Sequence, residues 1–147
     1  MGWQHDRGLP VKTGLAMALA LATSRAAAAI ADPTATALAR CVDDPVNAST
    51  AGQTECETAA TKAYDARMNR AYAALTKRLP VAAVRQLREA QHAWLAFRDA
   101  ERGARAAIYA TRRGTMYVPM EAASETAVTR DRAFELETYV QVTAIES

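Results

Sequence analysis

The sequence predicts an all-α fold, a compact bundle of three long helices with a short N-terminal helix, stapled by a disulfide. Apolar residues recur at helical spacing through most of the chain. No segment alternates apolar and polar residues as a half-buried strand does. Short connectors separate three long helical segments, which is the pattern of a helical bundle.

The first residues have the features of a cleavable secretion signal. Arg7 and Lys12 precede an apolar run over 14–22, which has the usual length for a signal and is too short to span a bilayer. The small-residue cleavage pattern fits residues 29–31. We therefore expect a signal peptide at 1–31, the alternative being an uncleaved amphipathic helix.

Removal of this segment leaves one helical domain, 32–147, which would begin at Asp32. The whole chain has 18 basic and 16 acidic residues, and 15 of each remain after removal. The charged residues removed are Arg7, Lys12, Arg25 and Asp6. A balanced domain lacks the basic footprint of a nucleic-acid-binding protein, so we expect no nucleic-acid partner. The residues before Cys41 form no lipid-attachment pattern, and we expect a periplasmic or secreted protein that is not membrane-anchored after cleavage.

Two cysteines, Cys41 and Cys56, lie in the part of the chain that would be exported. In an oxidising compartment such a pair usually forms a disulfide, and closing a loop of this size stabilises a fold by roughly 3 kcal/mol in the chain-entropy model. Two free thiols or a metal site are the alternatives. A metal site needs more ligands, and residues 32–147 contain a single histidine, His92, so we expect no metal and no cofactor.

The first helical elements of the domain are a short helix predicted at 36–42 and a long helix predicted from Thr54 to Arg78, with a polar loop between them. Thr54 and Glu57 form a capping-box pattern, which marks a helix N-terminus. The apolar stripe of this first long helix consists of Tyr64, Met68, Tyr72, Leu75 and Leu79.

A second long helix is predicted at 81–112, with Pro80 suited to its first turn because a missing N–H is tolerated there. Its apolar residues are Val84, Leu87, Trp94, Leu95, Phe97 and Ile108. Gly114 is a predicted helix stop within the connector 113–118. A proline opens the third long helix, predicted at 119–143. Its apolar residues are Ala133, Leu136 and Val140, with Phe134 beside them.

The residue patterns of the common enzyme sites do not occur in the sequence. It has no Gly-rich phosphate loop, no HExxH and no GxSxG, and a Cys–His nucleophile cannot form if both cysteines are bridged. His92 lies one position off the main apolar stripe, and we interpret it as a surface histidine. Glu55 and Glu57 fit a helix N-terminus, where negative charge is favourable. The sequence therefore predicts a protein that is not an enzyme.

One face of the second long helix carries both apolar and polar residues. Its members, at i, i+3 and i+4 steps, are Leu87, Gln91, Trp94, Arg98 and Glu101. Burial of Trp94 would draw Gln91 and Arg98 into the interior, where polar groups need partners. The first long helix offers Asp65, Asn69 and Tyr72 on one face. We predict a buried polar clasp of these residues, with Arg98 facing Asp65 or Asn69. The clasp would fix helix register, and direct ligand contact is the alternative.

Two segments, AYDARMNRAYAAL at 63–75 and LREAQHAWLAFRDAE at 87–101, together with the early cysteines, resemble the bacterial LprI-like domain. Thr129, Arg130 and Arg132 are similar to the family's Thr and Arg near the last helix. The resemblance covers nearly the whole of 32–147. The sequence departs from the family at Arg102 and Ser124, where cysteines are expected. The resemblance therefore implies one remaining bridge, Cys41–Cys56, and a weaker connection between the second and third long helices.

The resemblance implies an exported cell-envelope protein that binds a protein partner. In one member of the family this partner is a lysozyme. Lysozyme-type sites are clefts with two carboxylates, so a basic, exposed loop would suit them. The connector region offers Arg112, Arg113 and Tyr117 as candidate partner-binding residues; the alternative is a solvated helix end, where arginine is favourable. A structural or stress-related envelope protein, or an immunity protein against another wall-degrading toxin, are the other functions left open.

Overall fold

The computed structural model describes residues 32–145, and within this range the chain is helical and has no β-strand. Helix α1 spans Pro33–Asp43, α2 spans Thr50–Arg78, α3 spans Val81–Ala110 and α4 spans Tyr117–Val142. A short 3-10 turn, Pro45–Asn47, joins α1 to α2. The all-α prediction is thus confirmed, with three long helices and a short one before them. The predicted signal, 1–31, lies outside the described residues.

Helices α2 and α4 form the central pair of the bundle, α1 packs on α2, and α3 approaches α4 at fewer points. The core lies where α2 and α4 meet. Its buried residues are Ala60, Tyr64, Met68, Ala71 and Leu75 from α2, and Ala133 and Leu136 from α4. Five of these residues belong to the apolar stripes that the sequence predicts for the first and third long helices, whereas Ala60 and Ala71 lie outside the predicted stripe. The spacing of apolar residues therefore locates the core correctly.

The N-termini of α1 and α2 differ from the prediction. Asp32 caps α1, and its carboxylate accepts a hydrogen bond from the Thr34 N–H at 3.1 Å. Ser49 caps α2, and its hydroxyl oxygen accepts a hydrogen bond from the Gly52 N–H at 3.0 Å. The capping box predicted at Thr54 is wrong, because the first turn of α2 contains no large apolar residue and gives no periodic signal.

The disulfide between Cys41 and Cys56 joins the end of α1 to the second turn of α2, with 5.8 Å between the Cα atoms. This confirms the predicted pairing, and Cys56 is buried. The Asn47 side chain donates a hydrogen bond to the Cys41 backbone carbonyl at 2.9 Å. The 3-10 turn is therefore fixed against the bridge on one side and against α2 on the other.

Helix α3 is the least buried of the long helices. Its two buried side chains, Gln91 and Arg105, are both polar. Phe97 and Ile108 are 54% and 61% exposed, although both belong to the apolar pattern predicted for this helix. Pro80 precedes the first turn as the N-cap residue. The face that α3 turns toward the bundle is thus the mixed stripe, and its outward face carries exposed apolar residues.

Gly52 is the point at which α2 passes closest to the 3-10 turn. A Cβ atom at this position would lie 2.7 Å from the Asn47 Cα and 2.9 Å from the Asn47 backbone oxygen. Gly103, in the middle of α3, has nothing within 4 Å of the corresponding position. A side chain therefore has room at Gly103 but not at Gly52.

We predict that Gly52→Ala lowers the free energy of unfolding by about 1–3 kcal/mol, as at other overpacked sites. Alanine is otherwise better than glycine inside a helix by about 1 kcal/mol, so the matched variant Gly103→Ala should be neutral or stabilising. Chemical denaturation of both variants measures the difference. Stabilisation by Gly52→Ala would show that the turn does not press on α2.

Candidate functional site

A cluster of side chains around Arg67 connects α1, α2 and α4. Arg67 Nε and Nη2 donate to the two carboxylate oxygens of Glu137 at 2.8 and 2.7 Å, and Nη1 donates to Asp32 at 2.5 Å. The Arg67 Cζ lies 5.2 Å from the ring centroid of Tyr64 and 5.0 Å from that of Phe134. Each nitrogen of this arginine already has a partner, so the cluster is built to hold helices together and leaves little capacity for a ligand.

The cluster changes the protonation behaviour of its members. Burial raises the pKa of the Asp32 carboxyl, but hydrogen bonds from Tyr64, Arg67 and the Ala35 backbone outweigh it and lower this pKa below its ordinary value of 3.8. Burial and the hydrogen bond to Asp32 raise the pKa of Tyr64 to about 12. The hydrogen bond to Glu137 is the main reason why the pKa of Arg67 is raised. The charged forms of Asp32 and Arg67 thus stabilise each other.

A second polar contact joins α3 to α4 through Gln91. The Gln91 side-chain oxygen accepts hydrogen bonds from Arg132 Nε at 3.0 Å and from Arg132 Nη2 at 2.9 Å. Its amide nitrogen lies 3.6 Å from the Met68 sulfur on α2. Two guanidinium groups lie over the Trp94 ring, with Arg98 Cζ at 5.3 Å and Arg132 Cζ at 5.9 Å from its centroid. A polar clasp is therefore present, and its central arginine is Arg132.

The pairing predicted for Arg98 is wrong. Arg98 donates to Asp99, its neighbour on α3, at 3.0 Å. Asn69 and Asp65 bond to each other along α2, at 2.9 Å, and Tyr72 packs at the edge of the core. The physical reason is the position of α3, which lies against α4 more closely than against α2. The contacts among the predicted clasp residues thus stay within single helices, Arg98 with Trp94 on α3 and Asn69 with Asp65 on α2. Within 32–145, no hydrogen bond joins the predicted clasp residues of α2 to those of α3.

A third polar contact between α3 and α4 lies around Glu125. Its carboxylate accepts hydrogen bonds from Arg102 at 3.1 Å and from the buried Arg105. Beside it, the hydroxyl groups of Tyr109 and Ser124 are 3.2 Å apart. Arg102 and Ser124 are the positions at which the family resemblance leads one to expect cysteines. Ion pairs and a hydroxyl contact thus join the two helices in this region.

The connector after α3 is exposed and carries two arginines, Arg112 and Arg113. Neither forms an ion pair with any residue of 32–145. The Arg112 N–H donates to the Tyr109 backbone carbonyl at 2.9 Å, and Gly114 has a φ of 110°, which glycine adopts without strain. Tyr117, the third candidate, begins α4 and is half-buried. The connector is thus an ordered, cationic turn.

The part of the chain that the structure describes contains no cluster of residues suited to a metal. His92 is exposed on α3. No group of three or more His, Cys, Asp or Glu side chains within 32–145 is arranged to hold a metal ion. None of the helices in that range has the length and apolar content that crossing a bilayer requires.

The family model described as lysozyme inhibitor LprI matches residues 41–136, from the first cysteine to the last buried residue of α4. This chain belongs to the LprI family. The crystal structure of an uncharacterized protein from Burkholderia thailandensis has 34% sequence identity to it and a TM-score of 0.73. That similarity covers 78% of this chain but 56% of the other, so this chain spans little more than half of its relative. No curated protein sequence matches.

The residues matched by the LprI family model include the contact around Arg132 but only part of the cluster around Arg67. Gln91, Trp94 and Arg132 lie inside 41–136, whereas Asp32 and Glu137, the two acidic partners of Arg67, lie just outside it. Sequence reasoning missed both acidic partners. Arg132 had a signal in the sequence, because it falls three residues after Thr129 and four before Leu136, on the buried face of α4.

We predict that Arg132→Ala is more destabilising than Arg98→Ala. Both arginines stack on Trp94, but only the loss of Arg132 leaves the buried Gln91 oxygen without a partner, which costs about 1–3 kcal/mol. Arg98 forms a single ion pair with a well-exposed neighbour, and such pairs contribute about 1 kcal/mol or less. Denaturant unfolding of the two variants tests the order. An equal or larger effect of Arg98→Ala would contradict the central role given to Arg132.

We also predict that the stabilising effect of Asp32 depends on pH. Because its folded-state pKa is depressed, its contribution is complete above the unfolded value near 3.8 and is lost as the pH falls through the folded pKa. The difference in unfolding free energy between the wild type and Asp32→Asn should therefore be largest near neutral pH and shrink below pH 3.8. Asp43→Asn, an exposed carboxyl at the end of α1, is the control. A difference that does not change with pH would contradict the role given to the Asp32 charge.

Proposed function

We propose that this LprI family member is an exported protein that binds a lysozyme-type cell-wall hydrolase and blocks it, without catalysis of its own. The observation that carries the proposal is the match of residues 41–136 to the family described as lysozyme inhibitor LprI. Export is supported by the secretion signal predicted at 1–31 and by the Cys41–Cys56 disulfide, which is typical of oxidising compartments. We place the protein in the periplasm or the medium.

The connector is the surface that we propose for the contact with the hydrolase. Arg112 and Arg113 project from a turn at one end of the bundle and have no acidic partner in residues 32–145, so their charges are available to another molecule. A glycan hydrolase of the lysozyme type works with two carboxylates in a cleft. An exposed turn with two guanidinium groups matches that cleft in charge, because Arg donates paired hydrogen bonds to carboxylates.

The ordered base of the connector supports this assignment. The Thr111 and Arg112 N–H groups donate to the backbone carbonyls of Ile108 and Tyr109 at 3.1 and 2.9 Å, so the turn continues directly from α3. Tyr117 lies at the other end of the turn, where α4 begins. A turn that is already ordered in the free protein loses less conformational entropy when it binds.

The purified protein should lower the rate at which lysozyme hydrolyses bacterial cell walls, at close to stoichiometric amounts. Lysozymes of several structural types are the appropriate targets, because the family match does not distinguish among them. The measurement is the decrease in turbidity of a cell-wall suspension, with inhibitor titrated against enzyme. If every lysozyme type retains its full rate, the proposed function is wrong.

The double variant Arg112→Ala with Arg113→Ala should inhibit at least about tenfold more weakly, because loss of charge pairs at an interface typically costs more than 1.4 kcal/mol. Its melting temperature should not change, since neither side chain has a partner within 32–145. Arg85→Ala with Arg88→Ala, two exposed arginines on α3, removes the same charge elsewhere and should inhibit normally. Equal inhibition by both double variants would rule out the connector as the contact surface.

A further inference from the structure

A groove of about 370 Å³ opens at the end of the bundle that carries the connector. It lies between the last turn of α1, the first two turns of α2 and the first two turns of α4. Its lining residues are Val42, Thr50, Gln53, Glu57, Met116, Pro119, Met120 and Ala123. Most of this lining is apolar, and Met116 stands three residues after Arg113, so the groove adjoins the cationic turn.

Glu57 is the only acidic residue of the groove lining, and its carboxylate is incompletely satisfied. Its Oε2 atom is buried and accepts no hydrogen bond from any residue within 32–145. The backbone of Glu57 is held in place, because its carbonyl oxygen lies 3.1 Å from the Thr126 hydroxyl of α4. Buried carboxylate oxygens without a donor are unfavourable, and native proteins seldom keep them without a role.

The rim of the groove is formed by two exposed methionines. Met116 is 58% and Met120 is 46% exposed. Methionine side chains are flexible and polarisable, and they are frequent at surfaces that bind other proteins. An apolar occupant would match the rim but would bury the Glu57 carboxylate further without a donor. An acidic occupant would be repelled by it.

We propose that this groove receives a lysine or arginine side chain from the protein partner, with Glu57 as the acceptor of its charge. Such a side chain has an aliphatic stem, which would lie along Met116 and Met120, and a cationic end, which would lie beside the Glu57 carboxylate and balance its charge. The inference rests on the proposed function only for the identity of the partner. The groove and the neighbouring arginines would then present opposite charges side by side, which fixes the orientation of a bound protein.

The occupant can be tested without any hydrolase. The protein is labelled with ¹³C in its methionine methyl groups and titrated with N-acetyl-lysine methylamide, and with the norleucine analogue, which has the stem but no charge. The lysine compound should shift the Met116 and Met120 methyl resonances, while Met68, buried in the core, should not respond. Glu57→Gln should abolish the shifts. The inference is overturned if neither methyl resonance shifts, or if the norleucine compound shifts them as much as the lysine compound does. It is also overturned if the resonances move with protein concentration alone, because a second copy of the chain would then be the occupant.

A second experiment separates this inference from the proposed function. Against a lysozyme that the wild-type protein inhibits, Glu57→Gln should weaken inhibition on the order of tenfold or more, as expected for a buried charge pair. Glu55→Gln, an exposed residue of the same helix, is the matched control. If Glu57→Gln inhibits as well as Glu55→Gln, the groove assignment fails and the proposed function stands. If the wild type inhibits no lysozyme, the proposed function fails and the methyl titration alone decides the groove.

Discussion

The ion pairs of Arg67 are the contact on which the arrangement of α1, α2 and α4 depends. An arginine side chain that is only 14% exposed is tolerated because Asp32 and Glu137 accept its hydrogen bonds and two aromatic rings lie near its guanidinium group. Glu137 is on α4, and Asp32 is the residue that caps α1. The start of one helix, the middle of a second and the last turns of a third are therefore positioned by one side chain. The apolar core between α2 and α4 supplies most of the favourable free energy, whereas Arg67 determines the register.

Helix α3 is attached to the bundle in a different way. Its buried side chains are Gln91 and Arg105, and both are bonded to charged residues of α4. Directional hydrogen bonds of this kind specify position more than they add stability, since each replaces bonds to water. The half-buried Leu87 and Trp94 add apolar contact with the core. The bundle therefore has a tightly packed part, formed by α1, α2 and α4, and a helix that is held mainly by polar contacts at two places.

The sequence predicts the number and order of the helices, most of the core and the disulfide correctly, because apolar spacing and cysteine number are local features. It fails where a prediction needs the relative position of two helices. The stripe around Trp94 shows that Gln91 and Arg98 face inward, but it does not show which helix they meet, so Arg132 was not chosen as the partner. Asp32 precedes a proline, which is a helix-start signal, but nothing in the sequence indicates that it binds Arg67. The Glu57 groove forms where the start of α4 meets the end of α1 and the start of α2, which are distant from it in sequence, so no single segment of the sequence indicates it.

The capping role of Asp32 links protein processing to folding. If export removes residues 1–31, as we propose, Asp32 becomes the first residue of the exported chain. Cleavage of the peptide bond before Asp32 would place a new ammonium group at the N-terminus of α1, where positive charge is unfavourable. The Asp32 carboxylate would offset this charge. Cleavage one bond later would remove the cap of α1, the hydrogen-bond acceptor of Tyr64 and one of the two acidic partners of Arg67 together. Cleavage one residue too late would then yield a less stable protein, so that the position of the cleavage site sets the stability of the fold.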